Sequence, residues 1–235
     1  TCKGDAVSFT DFSSASTGYV ARWTWDFGDG NIQNILFPAS PSVTHQYANA
    51  GTFNVVLTVK TNDSCTNQLT RVVTILPKPT AAFAHGAACQ GNSVTFNDQS
   101  ISNTTGNISG WNWNFGDPTS GTANSSTLQN PTHTYSTAGT YTAQLIVSIP
   151  GGCSDTITHQ ITVSPPPAVD FTPVAGCNGD TTQFTSTVNA AATEGFYWQF
   201  GDGGTSFIAN PTHIYATAGT FTVTLTITDT AGCTN

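Results

Sequence analysis

The 235 residues carry 8% charged side chains, no Met and a formal net charge of -8, and all five basic residues (Lys3, Arg22, Lys60, Arg71, Lys78) lie early. Nucleic-acid binding needs cations against phosphate, so the stretch after Lys78 is excluded from that function, and an anionic membrane surface is disfavoured on the same ground. Low charge with many β-branched residues suits all-β domains, not disorder.

Taken in chain order, Val7 and Phe9 alternate with polar neighbours after Cys2 and predict a strand, B. Trp25-Asp26-Phe27-Gly28-Asp29-Gly30 predicts strand C running into a tight turn. His45-x-Tyr47 and Ala50-Gly51-Thr52 follow, then Phe53, Val55, Leu57 and Val59 alternate as strand F, half-buried with one apolar face. Cys65 closes the block, and Val72 to Ile75 predict strand G. Pro77-Lys78-Pro79 is a stiff spacer.

The order then repeats. Strand A is predicted at Ala81 to Ala84, strand B at Val94 and Phe96 after Cys89, and strand C at Trp113-Asn114-Phe115-Gly116-Asp117-Pro118. His133-x-Tyr135, strand F from Tyr141 to Val147, Cys153 and strand G from Ile157 to Val163 complete the second block. After Pro165-Pro166-Pro167 come strand A at Ala168 to Thr172, Cys177, strand B at Thr182 and Phe184, and Trp198-Gln199-Phe200-Gly201-Asp202-Gly203. His213-x-Tyr215, strand F from Phe221 to Ile227 and Cys233 end the third. No stretch shows helical periodicity, and no apolar run has transmembrane length. No signal peptide precedes the first block, so the chain reads as a mature exported segment.

A period of about 80 to 90 residues exceeds a solenoid unit and fits a small β-sandwich. The predicted repeats are 1–77, lacking strand A, 78–165, and 166–235, lacking strand G. Two missing edge strands point to a window cut from a longer array, with neighbouring repeats as partners.

The Trp-x-Phe-Gly-Asp phrase, with its later His-x-Tyr and Ala-Gly-Thr-(Phe/Tyr), resembles the PKD domain across nearly the whole chain. The resemblance implies an all-β chain of tandem immunoglobulin-like sandwiches, an extended rod, with no catalytic residues. Repeat two departs at Pro118, where the family has Gly, so its turn is expected to differ. Repeat three lacks five residues between Trp198 and His213, read as a shortened loop or strand. PKD repeats with phased cysteines resemble surface proteins of gliding bacteria exported by the type IX route, mobile adhesins among them. The implied function is a non-enzymatic stalk or adhesion segment at the bacterial cell surface, possible partners being surface glycans or other cell-surface proteins. Neither nucleic acid nor membrane insertion is expected. The alternative is a spacer or carbohydrate-binding module of a secreted hydrolase.

Each candidate residue has two readings. Gly28, Gly116 and Gly201 supply turn conformations, and Asp29, Asp117 and Asp202 bond the turn backbone. The same aspartates are Ca²⁺ candidates, but calcium wants six to eight oxygens and no Asp-x-Asp-x-Asp loop is present, so the structural reading is favoured and no cofactor is expected. His45, His133 and His213 recur identically with their turn, which fits structure better than acid-base catalysis. Tyr47, Tyr135 and Tyr215 fit a tyrosine-corner-like bond at the E–F turn. Trp25, Trp113 and Trp198 take the strand C core position. Trp23 and Trp111, and Phe196 in repeat three, extend that core or form an exposed platform for sugars. Thr156, Thr181 and Thr230, each following Asp, resemble bacterial O-glycosylation sites.

Cys2, Cys65, Cys89, Cys153, Cys177 and Cys233 recur in phase and indicate disulfides and an oxidising compartment. Closure within each repeat is the intuitive pairing. In an immunoglobulin-like sandwich, however, the opening cysteine lies at the far end and the F–G cysteine at the near end. A seven-residue strand spans roughly 23 Å, against about 7 Å between bridged Cα atoms. Pairing across the joints, Cys2–Cys153 and Cys89–Cys233, is favoured, with Cys65 and Cys177 bonded beyond these residues.

Overall fold

The computed structural model describes residues 1–174, 176–177, 179–188 and 193–235. They cluster into two compact units, residues 1–82, 99–111 and 146–157 in one and 83–98, 112–145 and 158–235 in the other. The chain is a tandem series of β-sandwiches.

Repeat one contains β1 (Ala6–Phe9), β2 (Val20–Asp26), β3 (Ile32–Leu36), β4 (Val43–Gln46), β5 (Gly51–Thr61) and β6 (Thr66–Ile75). β1 pairs with β4, and the other sheet runs β3-β2-β5-β6, all antiparallel. Period-two alternation turns Val55 and Leu57 of β5 inward, where Trp25 lies directly opposite Leu57. Trp23, Phe27, Ile35, Val43 and Tyr47 complete that core.

Repeat two contains β7 (Phe83–His85), β8 (Ser93–Asp98), β9 (Gly110–Asn114), β10 (Ser125–Ser126), β11 (Thr132–Thr134), β12 (Gly139–Ser148) and β13 (Ser154–Val163). Its sheets run β11-β8-β7 and β10-β9-β12-β13. Repeat three contains β14 (Phe171–Val174), β15 (Thr181–Ser186), β16 (Thr193–Gln199), β17 (Thr205–Ser206), β18 (Thr212–Ile214) and β19 (Thr224–Asp229), in sheets β14-β15-β18 and β17-β16-β19.

Several strands differ from expectation. Strand A starts later, at Phe83 and Phe171; in repeat two the amides of Ala81 and Ala82 bond side chains of Asp155 and Ser100. Pro173 is tolerated within β14 because that strand is an edge. Strand G starts directly after its cysteine in β6 and β13. Strand F of repeat three begins only at Thr224, so Phe221 to Val223 lie outside it. In repeat one the matching residues Gly51 to Val55 pair with β6 alone. Repeat three has no such strand among the described residues, so that stretch has no ladder to join.

The spacing between Trp and His also resolves into two different insertions. Phe27 N–H bonds Asn31 O and Phe200 N–H bonds Gly204 O, but Phe115 N–H bonds Asn124 O across a longer turn. Pro118 fixes φ negative, whereas Gly30 and Gly203 sit at φ +94° and +96°. The turn is therefore replaced by a 3-10 segment, Pro118–Asn124. Repeat one instead carries its extra residues between β3 and β4. Equal spacing in repeats one and two conceals unlike loops.

Cys2 bonds Cys153, with Cα atoms 5.6 Å apart, within the first unit. Cys89 bonds Cys233, at 5.5 Å, within the second. Cys2 bridges to Leu76 beside the end of β6, which places it at the joint with repeat two. Ile149 and Cys153 meet it there, with Leu76 and Ile108 packed alongside. Lys78 in the spacer pairs with Asp5 at 2.8 Å. At the other joint Cys89 bridges to Ser164, and Asn235 Nδ2 donates to Pro167 O at 2.8 Å. Cys65 and Cys177 are exposed free thiols.

Candidate functional site

The recurring phrases converge at one place in each repeat, the turn leaving strand C. Gly28, Gly116 and Gly201 have φ of +75°, +73° and +84°, in the left-handed region. A Cβ on Gly28 would lie 2.6 Å from Asn54 O, and one on Gly201 would lie 2.6 Å from Thr222 O. Only glycine lets the turn lie this close to strand F in repeat one and to the segment before β19 in repeat three. Asp26 and Asn114 accept from the Gly28 and Gly116 amides at 2.9 Å. Asp29 Oδ1 accepts from Asn31 N–H at 3.0 Å, and Asp202 Oδ1 from Gly204 N–H at 2.9 Å. In repeat two Asp117 Oδ1 accepts instead from Thr119 Oγ1 at 2.6 Å.

The second oxygen of each aspartate reaches across to the histidine. His45 Nε2 is 2.7 Å from Asp29 Oδ2, His133 Nε2 3.2 Å from Asp117 Oδ2, and His213 Nε2 2.7 Å from Asp202 Oδ2. Each imidazole stacks on the phenylalanine of the phrase, with centroids 4.0 Å apart at Phe27, 4.5 Å at Phe115 and 4.2 Å at Phe200, all within 9° of parallel. Each also meets the following tyrosine edge-on. With one nitrogen committed to a carboxylate and one face to a ring, the histidine acts as a clamp between its own strand, E (β4, β11 and β18), and the turn.

Burial pushes the carboxyls of Asp29 and Asp117 up, but bonds from His45 and Asn31, and from Thr119 and His133, together outweigh it and hold both below the usual range. The His213 bond is the main cause of the lowering at Asp202. A carboxylate lowered in the folded state stabilises above its unfolded value of about 3.9 and loses that contribution as pH falls through the folded value. Thermal unfolding followed from pH 6 to 2 is therefore expected to show stability falling below about pH 4. An Asp117→Asn chain should be less stable near neutrality and show a shallower acid slope.

The tyrosine makes a longer link than the local E–F bond expected. Tyr47 Oη donates to Phe27 O at 3.1 Å, Tyr135 Oη to Phe115 O at 2.9 Å and Tyr215 Oη to Phe200 O at 3.0 Å. The hydroxyl thus spans from strand E to the end of strand C, because the ring is laid against the histidine and strand F. Burial pushes the Tyr135 hydroxyl well up, with the Asp117 charge adding to it, so it remains a donor. Tyr135→Phe leaves the Phe115 carbonyl unpaired and is expected to cost about 1–3 kcal/mol in chemical denaturation.

Trp25, Trp113 and Trp198 lie in the cores, each indole N–H donating to a carbonyl of the loop before strand E: Pro41, Leu128 and Ile208. Trp23 is not a sugar platform. It is 6% exposed, and its indole donates to Asp11 Oδ2 at 2.8 Å, from a loop whose sequence does not recur. Trp111 and Phe196 are half-buried. Thr156, Thr181 and Thr230 are exposed. Among the described residues no three His, Cys, Asp or Glu side chains gather as metal ligands; Asp29 and Asp202 each give one oxygen to the turn and one to histidine. No described helix is long and apolar enough to cross a membrane.

The turn, clamp and tyrosine recur in all three repeats, and the PKD domain profile matches residues 1–75, 76–163 and 164–235. The chain belongs to the PKD domain family. The PKD1 domain of the Vibrio cholerae metalloprotease PrtV is 34% identical, covering 37% of this chain and 96% of that one, with a TM-score of 0.31. The PKD1 domain of Vibrio anguillarum Epp is 28% identical, covering 38% and 96%, with a TM-score of 0.33. Collagenase ColA of Bacillus cereus is 57% identical over 37 residues, which are 16% of this chain and 4% of the collagenase. The chain thus matches only a small part of that enzyme.

Proposed function

We propose that these PKD repeats are a non-enzymatic stalk or adhesion segment of an extracellular bacterial surface protein. The observation that carries this reading is the pair of disulfides joining successive repeats, Cys2–Cys153 and Cys89–Cys233. Such bonds persist in oxidising compartments and restrict motion at joints that are otherwise short Pro-rich spacers. The histidine clamp, repeated in all three repeats, ties strand E to the turn after strand C, a structural task. In this reading the repeats hold a binding region away from the cell, in a protein of the type IX-exported, gliding-adhesin kind.

A second reading is supported by the relatives: PKD domains occur in the PrtV metalloprotease, and a short match lies in a collagenase. There the repeats would space a hydrolase from its substrate. Antibody raised against the chain separates the two. Labelling of intact source cells that is lost on mild surface proteolysis supports the stalk. Antigen found only in culture supernatant, co-fractionating with a hydrolase, contradicts it.

A further inference from the structure

Repeat three carries an exposed aromatic pair on its sheet at a place where its sister repeats carry small polar residues. Tyr197 of β16 is 36% exposed and Phe207, just after β17, is 71% exposed. Their rings lie 5.2 Å apart, 30° from parallel. Alternation along β16 turns Phe196 and Trp198 into the core and Tyr197 to the outer face. Register places Tyr197 opposite Thr226 on β19, and Gln199 between Thr205 and Thr224. Two aromatic rings therefore stand on the outer sheet face among hydroxyl and amide groups.

The other repeats act as internal controls at this ladder position; repeat one has a separate exposed ring pair elsewhere, Tyr19 and Phe37 at 4.8 Å. The matching positions in repeat one are Thr24 and Asn34, directly opposite and bonded at 2.8 Å. Ladder alignment through Trp113 and Ser126 makes them Asn112 and Thr127 in repeat two. The fold is satisfied by small polar pairs at this place, so the rings of repeat three are not required by packing.

We infer that the Tyr197–Phe207 shelf binds an uncharged polysaccharide, the C–H faces of its sugar rings lying on the aromatics and its hydroxyls bonding Gln199 and the flanking threonines. Charge and size select this occupant. No Lys or Arg follows Lys78, so nucleic acid and acidic polysaccharide find no countercharge on repeat three. The two partly exposed rings offer on the order of 200 Å², far below the roughly 800 Å² a protein partner needs. This inference goes beyond the stalk reading and holds for a hydrolase spacer equally.

The test is affinity electrophoresis of the 235-residue chain, whose net charge of -8 carries it through native gels. Separate gels contain hydroxyethylcellulose, laminarin, galactomannan or, as the acidic contrast, alginate. Retardation by at least one uncharged polymer is expected, and not by alginate. The Tyr197→Thr/Phe207→Asn chain takes the residues of repeat one; it should keep its thermal transition and bind about tenfold or more weakly. No retardation by any uncharged polymer, equal retardation of the double variant, or retardation by alginate alone would overturn the inference.

Discussion

Trp113→Ala is expected to destabilise repeat two by about 3–5 kcal/mol, against a total of roughly 5–15 kcal/mol for a small domain. Trp113 is fully buried and its ring meets Phe83 at 5.1 Å, Phe96 at 5.6 Å and Phe115 at 6.4 Å. Truncation removes those contacts and leaves a cavity in a thin core, where little can move in to fill it. Its indole N–H also bonds Leu128 O at 2.9 Å, tying the loop before strand E to strand C. Trp113→Phe keeps a ring and loses that bond, so it should cost less, about 1–3 kcal/mol. Thermal unfolding of a multi-repeat chain need not be one transition. The Ala chain should show an early transition belonging to repeat two, and a loss under 1 kcal/mol would show that this core does not hold the repeat.

Gly28→Ala and Gly30→Ala should differ sharply although both glycines have positive φ, +75° and +94°. At Gly30 an added Cβ meets nothing within 4 Å, so only backbone strain of about 1 kcal/mol is expected. At Gly28 the Cβ would press on Asn54 O at 2.6 Å and Asn54 N at 3.0 Å, backbone atoms of strand F that cannot swing aside. The turn must lift away, stretching the Asp29–His45 clamp with it. A loss of about 2–4 kcal/mol is expected by urea denaturation. Equal losses for the two substitutions would mean that the close approach is not real. Repeat two bears on the same point: it replaces the second glycine by Pro118 and keeps the first as Gly116.

The sandwich itself was legible because alternation in strands B, C, F and G follows directly from one buried face. Gly28 and its equivalents were legible as turn residues, since the chemistry of positive φ is local. The clamp was not. Asp29 and His45 lie on separate elements, and nothing in either segment signals that the carboxylate divides its oxygens between turn and imidazole. The residues recurred visibly, but their spacing shortens in repeat three, and their meaning needed the direct 2.7 Å contact of His45 with Asp29 and the Phe27 ring stacked on the imidazole. Of the two readings of Trp23 the structure takes core extension over the platform, and its indole partner, Asp11, was not foreseeable because it comes from a loop without periodicity. The short β19 was missed because alternation at Phe221 and Val223 persists where no neighbouring strand among the described residues supplies hydrogen bonds. Equal Trp–His spacing hid two unlike insertions, which only ladder register separates.

Mapping disulfides in the unreduced chain tests most directly that successive repeats are stapled to one another. Trypsin has no site after Lys78, so chymotrypsin or pepsin is used. Peptides joining Cys89 to Cys233 and Cys2 to Cys153 are the expected result. A peptide joining Cys89 to Cys153 would contradict it, since each repeat would then close on itself and the joints would be held by the Pro-rich spacers alone.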